Sequence, residues 1–159
     1  MKKRKAFILA GSILFALQGS AGAADTTGIT RDTIKVGLFG PLTSPSGSLA
    51  KLVYGVASIY KEANDHGGIN GRKIELVIED DGCDAEKTKA AVKKLVEQDN
   101  VFMLHGGWCS NAVLAVKPYI AGHPKIPYMN ISSASPAISD PLSPNIFQPA
   151  PTSRTISET

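Results

Sequence analysis

Short apolar runs alternate with amphipathic segments along this chain of 159 residues, and this alternation constrains its fold more than any other sequence feature. The apolar runs have the length of buried strands and lie at 34–40, 73–79, 101–104, 126–131 and, as a short fifth run, 145–148. Apolar residues on one face predict helices over 49–66 and 85–98. A third helix is expected to begin at Ser110, to run to 121 and to accommodate Pro118. Such alternation predicts an α/β fold, an open parallel sheet with helices on both faces.

The amino-terminal residues have the order of a secretory signal peptide. A basic cluster at 2–5 precedes an apolar stretch at 6–17 and a small-residue tail at 21–24. A transmembrane helix needs roughly 20 predominantly apolar residues, and this stretch has about a dozen. We therefore expect a signal peptide over 1–23, cleavage near Ala23 and export to the periplasm.

The exported chain is close to electrically neutral. Four of the 17 basic residues lie in the predicted signal peptide, which leaves 13 against 14 acidic residues. No basic patch with interleaved aromatic side chains is present, so we expect no nucleic-acid partner. About 135 residues follow the signal peptide, enough for one domain with its own core.

The glycine-rich turn at 106–111 is the sharpest candidate for a binding site. Ligands of open parallel sheets bind beyond the carboxyl ends of the strands, and this turn connects a predicted strand to the helix that begins at Ser110. Unpaired N–H groups and the helix dipole favour a carboxylate there, and the Ser110 hydroxyl can add a donor. The alternative is that Ser110 is an ordinary N-cap.

A second candidate is the loop at 131–136, which follows the neighbouring strand. It carries three hydroxyls, on Ser132, Ser133 and Ser135, together with free backbone donors that could hold a carboxylate from the other side. The alternative is a serine-rich turn that hydrogen-bonds to itself.

The two cysteines, Cys83 and Cys109, are expected to form a disulfide, because the chain is bound for an oxidising compartment. Two free core thiols are the alternative. Cys109 could then serve as a nucleophile, but no spacing pairs it with any of the three histidines. The cysteines and histidines match no metal-ligand spacing, and no nucleotide-binding fingerprint is present, so we predict neither a metal nor a cofactor.

Several stretches together resemble the substrate-binding proteins of ABC transporters for branched-chain amino acids and amides, the type I periplasmic binding proteins. The residues that carry the resemblance are 34–37 with Gly40-Pro41, Asn64 with 67–72, 79–84, Cys109-Ser110 and 131–136. The resemblance covers nearly the whole mature chain, and the order and spacing of these stretches make it specific.

This resemblance implies two α/β lobes that close on a ligand and deliver it to a membrane permease, without enzymatic activity. It implies that Ser110 and the loop residues Ser132, Ser133 and Ala134 hold the ligand's carboxylate and amino group. It also implies a disulfide between Cys83 and Cys109 that fixes the ligand-bearing turn, so that reduction weakens binding.

Two positions depart from the family pattern in ways that affect the ligand. Ser48 stands where amino-acid-binding members often carry an aromatic residue that covers the ligand. Ala134 stands where a threonine is common, so only its backbone donor remains. We therefore expect a small amino acid, an amide or a related carboxylate rather than branched-chain amino acids specifically.

We expect residues 24–159 to form the first, N-terminal lobe of a solute-binding domain, truncated so that the second lobe is absent. Two other functions remain as alternatives. One is an extracytoplasmic ligand-sensing domain of the same architecture, and the other is a periplasmic hydrolase that depends on Cys109.

Overall fold

The computed structural model describes residues 27–43 and 47–157. The predicted signal peptide at 1–23 lies outside the described residues. Five strands are present, which are β1 (Thr33–Gly40), β2 (Lys73–Asp80), β3 (Met103–Gly106), β4 (Tyr128–Asn130) and β5 (Ile146–Phe147). The helices are α1 (Ser48–Asp65), α2 (Ala85–Lys93), α3 (Ser110–Ala121) and α4 (Ser153–Ser157).

The strands form one sheet in the order β2-β1-β3-β4-β5, and every neighbouring pair is parallel. The predicted parallel sheet is therefore confirmed. Because all strands run the same way, the loops that follow β1, β2, β3 and β4 emerge at one edge of the sheet.

Helices cover both faces of the sheet, as predicted. Adjacent residues on β1 point to opposite sides, so Leu38 packs with Val53 of α1, whereas Phe39 packs with residues of α2 and α3. Both side chains are fully buried. The larger of the two cores is therefore the one beneath α2 and α3, where Leu104 and Tyr128 also lie.

The apolar face predicted for α1 is only partly buried. Val53 is inaccessible to solvent, but Leu52 is 51% exposed and Ile59 is 66% exposed. Periodicity placed Val53 on the buried face correctly but Leu52 and Ile59 wrongly, because it does not show how much of the helix surface the sheet covers. Within the described residues, no helix combines the length and apolar character needed to cross a membrane.

Three elements have boundaries that differ from the predicted ones by two residues or more. The strand predicted at 101–104 begins at Met103, because the ladder with β1 starts there, and the strand predicted at 126–131 shrinks to the three residues of β4. The helix predicted over 85–98 ends at Lys93 and continues as one π-helical turn, Lys94–Gln98. In that turn Lys94 reaches both Glu79 and Asp99, at 2.6 and 3.0 Å.

The amide of Asn145 holds the connection between α3 and β4. Its Nδ2 group donates to the carbonyl oxygens of Ile120, His123 and Ile126 at 2.9 to 3.1 Å, and the residue is 3% exposed. The carbonyls of Ile120 and His123 also accept the backbone N–H groups of His123 and Ile126, so the amide adds a second donor to each of these two and a donor to Ile126. Asn145 therefore fastens the start of β5 to the end of α3.

Replacing this amide should destabilise the protein. We expect Asn145→Ala to lower the free energy of unfolding by about 2 kcal/mol, because the hydrogen bonds of a buried amide are lost while the carbonyls of Ile120 and His123 keep their backbone donors. Urea denaturation followed by circular dichroism measures the change. Asn111→Ala, on the exposed side of α3, is the control and should change stability by less than about 0.5 kcal/mol. Equal losses in the two variants would contradict this role.

Candidate functional site

The structure brings the two predicted binding segments into contact at the carboxyl edge of the sheet. Ser110 is the first residue of α3, and Ser133 lies in the loop after β4. The Ser133 hydroxyl donates to the Ser110 hydroxyl at 2.8 Å. The two side chains belong to segments 23 residues apart in sequence, so their contact depends on the pairing of β3 with β4.

The turn between β3 and α3 requires a glycine at position 107. Gly107 has a φ of 88°, and a Cβ atom there would lie 2.3 Å from the Tyr128 hydroxyl and 2.8 Å from the Asn130 Oδ1 atom. The Gly107 carbonyl accepts hydrogen bonds from the backbone N–H groups of Ser132 and Ser133, at 3.3 and 3.1 Å. The close approach of these backbones sets the distance between the two binding segments.

Ser110 does not cap α3, so the N-cap alternative is wrong. The N-cap residue is Cys109, and no side chain of the described residues caps the helix. The N–H groups of the first turn have no intrahelical acceptor. They therefore remain available at the carboxyl edge of the sheet, beside the hydroxyls of Ser110 and Ser133.

The backbone around Ala134 is held mainly by other elements, which differs from a serine-rich turn bonded to itself. The Ser133 carbonyl accepts from the Asn130 side chain at 2.7 Å, and the Ala134 carbonyl accepts from the Ser153 N–H at 2.8 Å. The Ala134 N–H has no hydrogen-bond acceptor in the part of the chain that the structure describes. It is therefore a second candidate donor beside Ser110.

Two further predicted residues, Ser48 and Ser132, are exposed. Ser48 begins α1, and its N-cap residue is Gly47, which has a φ of 61°. Ser132 contributes its backbone N–H to Gly107, as described above. The contact between Ser110 and Ser133 joins their own two hydroxyls and does not include the side chains of Ser48 and Ser132.

The predicted disulfide between Cys83 and Cys109 is present, with the two Cα atoms 5.4 Å apart. It joins the loop after β2 to the N-cap of α3, directly before Ser110. Because the sulfur of Cys109 is bonded to Cys83, it is not a thiolate nucleophile in this structure. The covalent link restrains the position from which the helix begins.

Asp80 ties the loop after β1 to the end of β2. Its carboxylate accepts the N–H groups of Leu42, Thr43 and Gly82 at 2.8 to 3.2 Å, and the Thr43 hydroxyl also donates to it. Burial acts to raise the pKa of Asp80, but these hydrogen bonds outweigh it and hold the pKa below its ordinary value.

Asp81 is the opposite case, although it is the next residue. It is 2% exposed, and one oxygen accepts the Cys83 N–H at 2.9 Å. Burial raises the pKa of Asp81, and repulsion from Asp80 adds to the effect. Nothing in the sequence distinguished these carboxylates, because only the fold determines which one turns inward.

Several residues that shape this edge were missed at the sequence level. Asn130 and Gln148 both donate to the Ser133 carbonyl, at 2.7 and 2.9 Å. Asn130 could have been suspected because a polar residue ends an otherwise apolar strand, whereas Gln148 carried no sequence signal.

Other possible sites lack the required chemistry. A concavity of about 370 Å³ lies at the opposite edge of the sheet, but it is lined mostly by apolar residues, including Val101, Phe102 and Ile126. In the described ranges, no group of three or more histidine, cysteine or acidic side chains could hold a metal ion. The carboxyl edge is therefore the best candidate site.

The two carboxylates should respond to pH with opposite sign. Asp80 has a lowered pKa, so its stabilising effect exists above the unfolded-state pKa and is lost as the pH falls. Asp81 has a raised pKa, so its contribution is present at low pH and is lost as the pH rises. Asp80→Asn should therefore be most destabilising at neutral pH. Asp81→Asn should gain stability relative to wild type as the pH rises from about 3 to about 6.

Thermal melts of both variants at several pH values measure these differences. Asp65→Asn, which alters an exposed ion pair with Lys61, is the control and should shift the melting temperature little. The interpretation fails if both aspartate variants change with pH in the same direction.

The comparisons with known proteins agree with this architecture. A family model described as "Periplasmic binding protein" matches residues 33–159. The "Leucine-, isoleucine-, valine-, threonine-, and alanine-binding protein" of Pseudomonas aeruginosa is 36% identical over 102 residues, which cover 64% of this chain and 27% of that protein.

Two solved structures are also similar. The branched-chain amino acid transporter substrate-binding protein of Streptococcus pneumoniae, in complex with isoleucine, has a TM-score of 0.70 and 21% identity, and the match covers 76% of this chain and 34% of that one. The solute-binding protein of an ABC transporter from Rhodopseudomonas palustris BisB5, in complex with 3,4-dihydroxybenzoic acid, has a TM-score of 0.65 and 31% identity. That match covers 76% of this chain and 32% of the other.

The chain thus spans about a quarter to a third of the length of these proteins. The family match covers well over half of the chain and includes every strand and helix from β1 to the start of α4. The resemblance seen in the sequence is confirmed, and the chain belongs to the periplasmic binding protein family, type I, of which its described residues form one α/β lobe.

Proposed function

We propose that this chain acts in the periplasm as the solute-binding component of an ABC importer and binds a small amino acid, amide or related acid through a carboxylate group of the ligand. Ser110, Ser132, Ser133, Ala134 and Ser48 are the residues proposed to line the site. The permease of the importer is the proposed partner. The observation that carries the proposal is the contact between Ser110 and Ser133, which lies beside the unpaired N–H of Ala134.

The electrostatics of this edge favour an anion. Neither α1 nor α3 has an acidic residue in its first turn, whereas α2 is capped by Asp84 and carries Glu86. The positive ends of the dipoles of α1 and α3 are therefore not offset by acidic residues of their own first turns. The carboxylate of Asp80, at the end of β2, already accepts hydrogen bonds from four donors.

The names of similar proteins support a carboxylate as the shared feature of the ligand. The Pseudomonas aeruginosa relative is named for five amino acids, and the Rhodopseudomonas palustris structure contains 3,4-dihydroxybenzoic acid. These ligands differ in their side groups, but each has one carboxylate on a small body. We infer that the described wall binds the carboxylate and that other parts of a closed cleft select the remainder.

Removing the Ser110 hydroxyl should weaken binding without unfolding the protein. We expect Ser110→Ala to raise the Kd for the better of two probes, L-leucine and 3,4-dihydroxybenzoate, by about fivefold, because about 1 kcal/mol of hydrogen bonding is lost. Isothermal titration calorimetry measures the change at probe concentrations into the millimolar range.

Ser58→Ala is the matched control, because its hydroxyl bonds only to the Tyr54 carbonyl on the outside of α1. It should leave the Kd unchanged. The proposal is refuted if neither probe binds the wild-type chain, and the role of Ser110 is refuted if both serine variants bind equally well.

Opening the disulfide should reduce stability and affinity together. A closed loop of 26 residues stabilises by roughly 3 to 4 kcal/mol in the chain-entropy model, and here it also anchors the start of α3. We expect Cys83→Ser with Cys109→Ser to lower the melting temperature and to weaken probe binding even well below that temperature. An unchanged Kd in this double variant would show that the bond does not position Ser110.

A further inference from the structure

The side chain of Gln148 bridges two carbonyl groups on either side of Ala134. Gln148 directly follows β5, and its Nε2 group donates to the Ser133 oxygen at 2.9 Å and to the Ser135 oxygen at 3.3 Å. A single amide therefore spans the part of the loop that contains the unpaired Ala134 N–H.

The geometry of the peptide bond connects this bridge to the binding site. The Ser133 carbonyl and the Ala134 N–H belong to the same planar trans peptide, so they point in opposite directions. Donors that hold the carbonyl oxygen therefore also aim the N–H group. Asn130, at 2.7 Å, and Gln148 both hold this oxygen.

The two donors differ in what they control. Asn130 is fully buried and lies within β4, so it is part of the sheet. Gln148 directly follows the two-residue edge strand β5. Of the two donors, only Gln148 also donates to the Ser135 carbonyl. Its Oε1 atom is buried and lacks a hydrogen-bond partner among the described residues, so in this position the amide serves only as a donor.

We propose that Gln148 is a positioning residue of the binding site, which orients the Ser133–Ala134 peptide so that the Ala134 N–H faces the ligand's carboxylate. The inference rests on the proposed function for its effect on affinity. The orientation of the peptide, however, can be measured without any ligand.

Substitution by glutamate tests the proposal most sharply, because an ionised carboxylate would face two carbonyl oxygens with no proton to donate. We expect Gln148→Glu to raise the Kd for L-leucine about tenfold or more at pH 7. Relative to wild type at the same pH, affinity should recover toward pH 4, where the new carboxyl becomes protonated and can donate again.

The ligand-free readout is the nuclear Overhauser effect between the Ser133 Hα proton and the Ala134 amide proton, which reports the orientation of the peptide. Gln148→Glu should change its intensity at about pH 7 and restore it at about pH 4. Gln98→Glu, at an exposed position of the π-helical turn, is the matched control and should change neither measurement. If Gln148→Glu does not fold, Gln148→Met removes the donor without adding charge and should raise the Kd about threefold.

The outcomes separate the two proposals. An unchanged Overhauser intensity overturns the role of Gln148, as does an unchanged Kd in a chain that binds L-leucine. If the wild-type chain binds neither probe, the proposed function fails, while the Overhauser effect still decides whether Gln148 orients the peptide.

Discussion

The Gly107 carbonyl accepts two backbone hydrogen bonds from the loop after β4, and the candidate site depends on this junction. It brings the start of α3 and the loop at 131–135 close enough for Ser110 and Ser133 to touch. The junction in turn needs the absence of a side chain at Gly107, because Tyr128 and Asn130 occupy the space that a Cβ atom would take. Packing within the sheet and the geometry of the site are therefore set by the same contact.

The neighbouring loops are restrained by different kinds of interaction, which reinforce each other. A disulfide bonds Cys109 to Cys83 in the loop after β2. The Asp80 carboxylate accepts hydrogen bonds from N–H groups of the loop after β1. The side-chain amides of Asn130 and Gln148 hold the loop after β4. Each loop is thus restrained by bonds to other segments, so the N–H donors at the start of α3 and at Ala134 need little rearrangement to bind an anion. This lowers the entropic cost of binding.

The strands and helices could be predicted from the sequence because each has a strong local pattern. The bounds of α3 were predicted at Ser110 and Ala121, where the structure has them, because a glycine-rich turn precedes a serine that can open a helix. The π-helical turn and the short 3₁₀ helix at Pro136–Ile138 were not predicted, because they depend on tertiary contacts that leave no periodic signal. For the same reason, sequence pattern marked Ser110 and Ser133 as candidates but not the supporting residues Asn130 and Gln148.

The central claim is that a carboxylate binds between the first turn of α3 and the Ala134 N–H. The most direct test is a titration of the ¹⁵N-labelled chain with L-leucine and with 3,4-dihydroxybenzoate, followed by amide chemical shifts. We expect the backbone amide signals of Ser110, Asn111 and Ala134 to shift most. L-Leucinamide and 3,4-dihydroxybenzamide, in which an amide group replaces the carboxylate, should have little effect. Shifts confined to other residues, or equal shifts with the amides that lack the carboxylate, would contradict the claim.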